Sequence, residues 1–148
     1  DRLIGSHLGI VANAGGGKSG LIRKLLEVTH GRIQHIILDI EDEFYTLRQS
    51  YDYVIAGGET GDAPLSLEGA GSLARAALQH GFSLICQMND LGGQGARQFV
   101  DAFLSSMISA PRDLWRPCLI VIDETQRFDA DSIRMLTERG RKRGFTAV

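Results

Sequence analysis

Runs of apolar residues alternate along this chain with segments whose apolar positions return every three or four residues, the pattern of strands interleaved with amphipathic helices. His7-Leu8-Gly9-Ile10-Val11-Ala12 reads as a buried strand. A helix follows over 18–29, with Leu21, Ile22, Leu25, Leu26 and Val28 as its apolar stripe and Gly31 as its stop. Residues 33–39 form a second predicted strand around Ile36-Ile37-Leu38, and Tyr53-Val54-Ile55 a short third, closed by Gly57-Gly58. The pattern then gives a helix over 67–79, with Leu73, Ala74, Ala77 and Leu78 facing inward and Gly81 at its end, and a strand over 82–87. A helix over 95–109 carries Phe99, Phe103, Leu104, Met107 and Ile108 on one side and is closed by Pro111. Residues 118–122 are the most strand-like run of all. A short helix over 131–139, capped by Gly140, and a last strand over 144–148 complete the series.

Strands that alternate with helices in this way predict an α/β fold, with a mainly parallel sheet covered by helices on both faces. In such sheets ligands bind at the carboxyl ends of the strands. At 148 residues the chain suits one domain with one core, and no repeat, low-complexity tract or long linker divides it.

Composition adds limits. Hydrophobic residues at 43% and charged residues at 23% are the balance of a globular domain. A net charge of -2 provides no global basic field for nucleic acid or membrane, so any DNA contact must come from a local patch or another part of the protein. Cys86 and Cys118 each sit inside an apolar run, as buried small hydrophobes do. They are too few for a disulfide scaffold and lack zinc spacing, which fits a reducing, cytoplasmic setting. His7, His30, His35 and His80 are scattered without metal-ligand spacing. No stretch is long and apolar enough to span a bilayer, and no signal peptide is visible. The chain opens at Asp1 and stops at Phe145-Thr146-Ala147-Val148, inside a predicted strand, so residues 1–148 are expected to be a fragment of a longer protein.

The first candidate chemistry lies between the first strand and the first helix. Ala12-Asn13-Ala14-Gly15-Gly16-Gly17-Lys18-Ser19 fits the phosphate-binding pattern G-x-x-x-x-G-K-[ST], with Ala12 in place of the first glycine. Consecutive glycines let successive N–H groups turn inward on an anion, and the helix N-terminus points its positive end at the same place. The candidate phosphate-binding set is Ala14, Gly15, Gly16, Gly17, Lys18, Ser19 and Gly20. Lys18 has the reach for the β- and γ-phosphates of ATP, and the Ser19 hydroxyl is a candidate Mg2+ ligand. A glycine-rich turn without a ligand is the bland alternative, and the strand and helix on either side weigh against it.

The second candidate is Leu119-Ile120-Val121-Ile122-Asp123-Glu124, an apolar strand ending in two acids. Asp123 is placed to hold magnesium through water, and Glu124 to act as the general base for the attacking water. Phosphate-loop enzymes with such a glutamate place one more strand between the two motif strands in space, and that strand follows the second motif in sequence. Residues 144–148 are the candidate for it.

Four segments together resemble the HerA/FtsK superfamily of ATPases, and most closely its HerA-like branch. They are Ala14-Gly15-Gly16-Gly17-Lys18-Ser19, Leu38-Asp39-Ile40-Glu41-Asp42-Glu43-Phe44, Ile122-Asp123-Glu124-Thr125-Gln126-Arg127-Phe128 and Glu138-Arg139-Gly140-Arg141-Lys142-Arg143-Gly144. The second departs from the family's Asp-Pro-x-Gly-Glu-Tyr at Ile40 and Asp42, so only Asp39 and Glu43 carry over. The family's terminal sensor glutamine has no counterpart within residues 1–148. The resemblance implies a RecA-like P-loop NTPase fold, ATP and Mg2+ as cofactors, a homo-oligomer (a hexamer in the family) and DNA as a partner. It also implies that Lys18 and Glu124 are catalytic, that Ser19 and Asp123 serve the metal, and that Arg141 is an arginine finger for a neighbouring subunit's nucleotide.

Alternatives stand beside these readings. Arg139, Arg141, Lys142 and Arg143 also suit a solvated basic helix end, or a patch for DNA phosphates. Asp39 and Glu43 suit either water and metal orientation or the capping of the turn that follows the strand, whereas Glu41 and Asp42 read as solvated. Gly92-Gly93-Gln94-Gly95 lacks a lysine and reads as the start of a helix. The resemblance implies the ATP-hydrolysing core of a DNA-translocating motor; this reading competes with an ATPase that energises conjugation or type IV secretion, and with a nucleotide-binding regulatory module of negligible turnover.

Overall fold

The computed structural model describes residues 7–8, 17–123 and 130–148. Among the described residues, five strands, β1 (Gln34–Asp39), β2 (Tyr53–Ala56), β3 (Ser83–Gln87), β4 (Cys118–Ile122) and β5 (Phe145–Ala147), form one sheet in the order β2-β3-β1-β4-β5. Every pairing is parallel. The crossovers run through α2 (Ala70–His80), α3 (Gly92–Ile108) and α4 (Ala130–Met135), and α1 (Lys18–Thr29) precedes β1.

β1 lies at the centre of the sheet and is buried along its whole length, which explains why its sequence is continuous rather than alternating. The period of two then divides its residues between two cores. Ile36, Leu38, Leu84, Cys86, Ile120 and Ile122 face α2 and α3, where Phe99, Phe103 and Leu104 are fully enclosed. Ile37, Ile55, Ile85, Leu119 and Val121 face the opposite way, against Ile22 and Leu26 of α1 and Phe44 and Leu47 of the segment after β1. Cys86 and Cys118 are buried free thiols, as their apolar runs predict.

β5 has a neighbour on each side. It pairs with β4, while the N–H of Leu8 donates to the carbonyl of Ala147 (2.9 Å) and the N–H of Ala147 donates to Nδ1 of His7 (3.2 Å). The last strand therefore lies between the second-motif strand and the segment that leads to the glycine loop, as its position in the sequence predicts. The rest of the first predicted strand, residues 9–12, lies outside the described residues.

Two expectations need correction. Leu21 and Val28 do not belong to the buried stripe of α1: they are 57% and 54% exposed, and Ile22 and Leu26 carry the contact. Gly140 does not cap the last helix. It keeps a right-handed conformation (φ -64), and the helical run continues through a π turn, Leu136–Gly140, and a 3-10 turn, Arg141–Arg143. Gly144, at φ 80, ends it. Gly140 is buried, and a Cβ there would press on Leu136 and Phe145, so it is a packing glycine rather than a stop signal.

Candidate nucleotide site

The site lies where parallel-sheet geometry puts it, at the carboxyl ends of β1 and β4 beside the first turn of α1. Gly17 is the N-cap of α1 and takes the left-handed conformation (φ 78), with no described residue beyond its chain neighbours within 4 Å of where a Cβ would stand. Lys18 and Ser19 follow as the first two helical residues. The first four N–H groups of a helix have no partner within the helix itself, so this turn is suited to an anion. Ala14, Gly15 and Gly16 lie outside the described residues, as does Glu124.

The two motifs meet in space. Lys18 Nζ stands 3.0 Å from Asp123 Oδ1, and Asp123 is 3% exposed. Backbone geometry fixes that carboxylate: Asp123 directly follows β4, and its N–H donates to the carbonyl of Leu38 at the end of β1 (3.4 Å).

Asp39 ends β1 next to it and is fully buried. Its carboxylate accepts the N–H of Glu43 (3.1 Å) and of Phe44 (2.8 Å). Burial pushes its pKa up to about 6, against the lowering effect of those two N–H groups; the charges of Asp42 and Asp123 add to the rise. The capping reading of Asp39 is therefore realised, and the turn it caps carries Glu43 to the site. Glu43 Oε2 accepts the Ser19 hydroxyl at 2.5 Å.

Sequence reasoning missed Arg23. It lies one helical turn after Ser19, donates to Thr46 Oγ1 (2.9 Å) and to the Glu43 carbonyl (2.5 Å), and stands over the Phe44 ring (5.8 Å). The signal was present, since residues four apart share a helix face. What the pattern did not reveal is that this face meets the loop after β1.

Arg141 lies elsewhere. It precedes β5, whose first residue pairs with Cys118 at the start of β4, so Arg141 sits at the amino edge of the sheet and is exposed. Arg143 donates to the Arg139 carbonyl (2.9 Å) and stacks over Trp115 at 4.7 Å, so it has a structural task. Gly20 is the third residue of α1 and is exposed.

Comparison with known families supplies the decisive finding. The family model described as the central domain of helicase HerA matches residues 1–76 of the 148. The chain belongs to this family. No curated protein and no solved structure matches it. The match covers the glycine loop, α1, β1 and the Asp39–Glu43 turn. With the all-parallel sheet it establishes a RecA-like P-loop fold and a HerA-like ATPase core, a family character that carries nucleotide binding. Among the described residues, no helix is long and apolar enough to cross a membrane.

Proposed function

We propose that this HerA-like core binds and hydrolyses ATP with magnesium, within a homo-oligomeric ring that moves along DNA in the cytoplasm. The observation that carries the reading is the 3.0 Å approach of Lys18 to Asp123, which joins two motifs far apart in sequence at one strand edge.

The residues suit the cofactors. Gly17 opens the start of α1 on a side free of other atoms among the described residues, and Lys18 adds a positive charge there. Ser19 and Asp123 give two oxygen donors, the number magnesium commonly takes from a protein when phosphate oxygens and water complete its shell. Magnesium, when bound, neutralises charge on the β- and γ-phosphate oxygens.

The chain's own groups would then divide the work. N–H groups of Gly15, Gly16, Gly17 and Lys18 hold the phosphates, and Ala14 and Gly20 flank them. The Lys18 ammonium leaves Asp123 for the β- and γ-oxygens. Glu124 accepts the proton of the attacking water. Arg141 of a neighbouring copy offers a planar cation to the charge that spreads over the transferring phosphoryl group.

Steady-state ATP turnover by the full-length protein and its Glu124→Gln variant tests the reading. The expected loss is about 100-fold or more, the usual size of a general-base contribution, with nucleotide binding retained. Equal, slow turnover by both proteins defeats the enzyme reading. Stimulation of turnover by duplex DNA is expected of a motor, and its absence would favour a protein-secretion cargo.

A further inference from the structure

Glu43 belongs to neither motif, yet its side chain bonds Ser19, the residue of the first that the reading gives to the metal. Its carboxylate oxygen accepts the Ser19 hydroxyl at 2.5 Å. A hydroxyl has one hydrogen and two acceptor lone pairs. A hydroxyl that ligates a cation must turn a lone pair towards the metal, with its hydrogen pointing away. An acceptor fixed on the far side enforces that orientation, in the way that outer partners orient metal-bound histidines and carboxylates.

The backbone of Glu43 is held on both sides. Its N–H donates to Asp39 Oδ1 (3.1 Å), and its carbonyl accepts from Arg23 (2.5 Å). Arg23 is anchored in turn to Thr46 (2.9 Å). Asp39 is fixed to the end of β1, and Arg23 belongs to the same helix as Ser19. The distance from Ser19 to Glu43 is thus set by a sheet and a helix rather than by a free loop. Glu43 is exposed, so its side chain gives the core no packing.

We propose that Glu43 is a positioning residue for the metal. By accepting the Ser19 hydrogen, it leaves the Ser19 lone pairs directed at magnesium. The inference rests on the nucleotide–magnesium reading of the site, and it gives Asp39 and Arg23 the task of holding Glu43 in place. The role needs an acceptor oxygen and no charge, so glutamine suffices and alanine does not.

The experiment measures ADP binding to the full-length protein by calorimetry across a magnesium titration and in excess chelator. Glu43→Ala is expected to raise the magnesium concentration at half-maximal enhancement by about 10-fold or more, the usual loss on removing an outer partner of a metal ligand. Its chelator-state affinity for ADP should equal that of the unchanged protein. Glu43→Gln should titrate within about 2-fold of the unchanged protein, because its amide oxygen still accepts the hydroxyl. In a Ser19→Ala background, Glu43→Ala should add nothing. A normal magnesium midpoint in Glu43→Ala overturns the proposal, and so does a glutamine variant as impaired as the alanine one. If the unchanged protein binds no ADP at any magnesium concentration, the nucleotide reading itself falls, and this role with it.

Discussion

His35 shows how much one buried residue can settle. It lies in β1 with no exposed surface, and both ring nitrogens have partners: Tyr53 Oη at 2.7 Å from Nδ1 and Thr29 Oγ1 at 2.9 Å from Nε2. The Thr29 hydroxyl donates its hydrogen to the Leu25 carbonyl (2.7 Å), so it accepts from His35, and Nε2 carries the proton. Nδ1 is then the acceptor for the Tyr53 phenol, whose own pKa is raised by burial. The arrangement requires a neutral ring. Burial, with a smaller contribution from the nearby His30, lowers the His35 pKa to about 4. In the unfolded chain the value is about 6.5, so between the two the unfolded state binds more protons and stability rises with pH. Asp39 works the other way: its pKa is raised to about 6, so ionisation of its carboxylate costs stability as pH rises towards that value. A variant that removes only the imidazole isolates the first effect. The advantage of the unchanged protein over His35→Leu should shrink by about 3 kcal/mol between pH 7 and pH 4, the free energy equivalent of the shift. Urea denaturation of both proteins at each pH measures it. A constant gap across that range would mean that the ring is not held neutral.

At the scale of elements, α1 separates what is local from what is not. Its bounds, Lys18–Thr29, coincide with the predicted helix, and so do those of β4, because glycine stops and apolar period are local signals. The width of the buried stripe is not local. Leu21, Leu25 and Val28 form one ridge along the helix, and Ile22, Leu26 and Thr29 a second. Periodicity merges them, but the sheet covers mainly the second, leaving Leu21 and Val28 more than half exposed. Leu26→Ala should therefore cost about 2–5 kcal/mol through a cavity in the buried cluster that also holds Ile37 and Val121. Leu21→Ala should stay within about 0.5 kcal/mol, as substitutions at exposed sites do. Thermal unfolding of the two variants gives the comparison, and equal losses would return Leu21 to the core. The helix before β5 carries a similar lesson. Gly140 resembles a stop in the sequence, but its missing Cβ serves the contact with Leu136 and Phe145, a partner found only after the chain has turned. The Ser19–Glu43 contact was hidden for the same reason: each residue had a local reading, and only the parallel sheet brings them within a hydrogen bond.

At the scale of the molecule, the sheet separates two kinds of chemistry. Lys18, Asp123 and Asp39 gather at its carboxyl edge, and Arg141 and Lys142 stand at the amino edge, ahead of β5. The five residues of β4 lie between the two edges. At about 3.3 Å per residue they span roughly 16 Å, farther than an arginine side chain reaches. Arg141 is therefore unable to serve the nucleotide site of its own chain, and the finger reading survives only between copies. In a head-to-tail ring each interface joins two different surfaces, so the amino-edge residues of one copy are free to face the next copy's site. This gives a test by complementation. Lys18→Ala chains keep Arg141 but lose the lysine proposed to hold the phosphates. Arg141→Ala chains keep the lysine and lose the cation that a neighbour needs, which should lower turnover by about 1,000-fold if Arg141 is a finger. An equal mixture forms intact sites wherever an Arg141→Ala chain meets a Lys18→Ala neighbour, about a quarter of the interfaces in randomly assembled rings. ATP turnover of the mixture should then far exceed that of either variant alone. A mixture no faster than its components, with Arg141→Ala nearly as active as the unchanged protein, would instead reduce Arg141 to the solvated end of a basic helix.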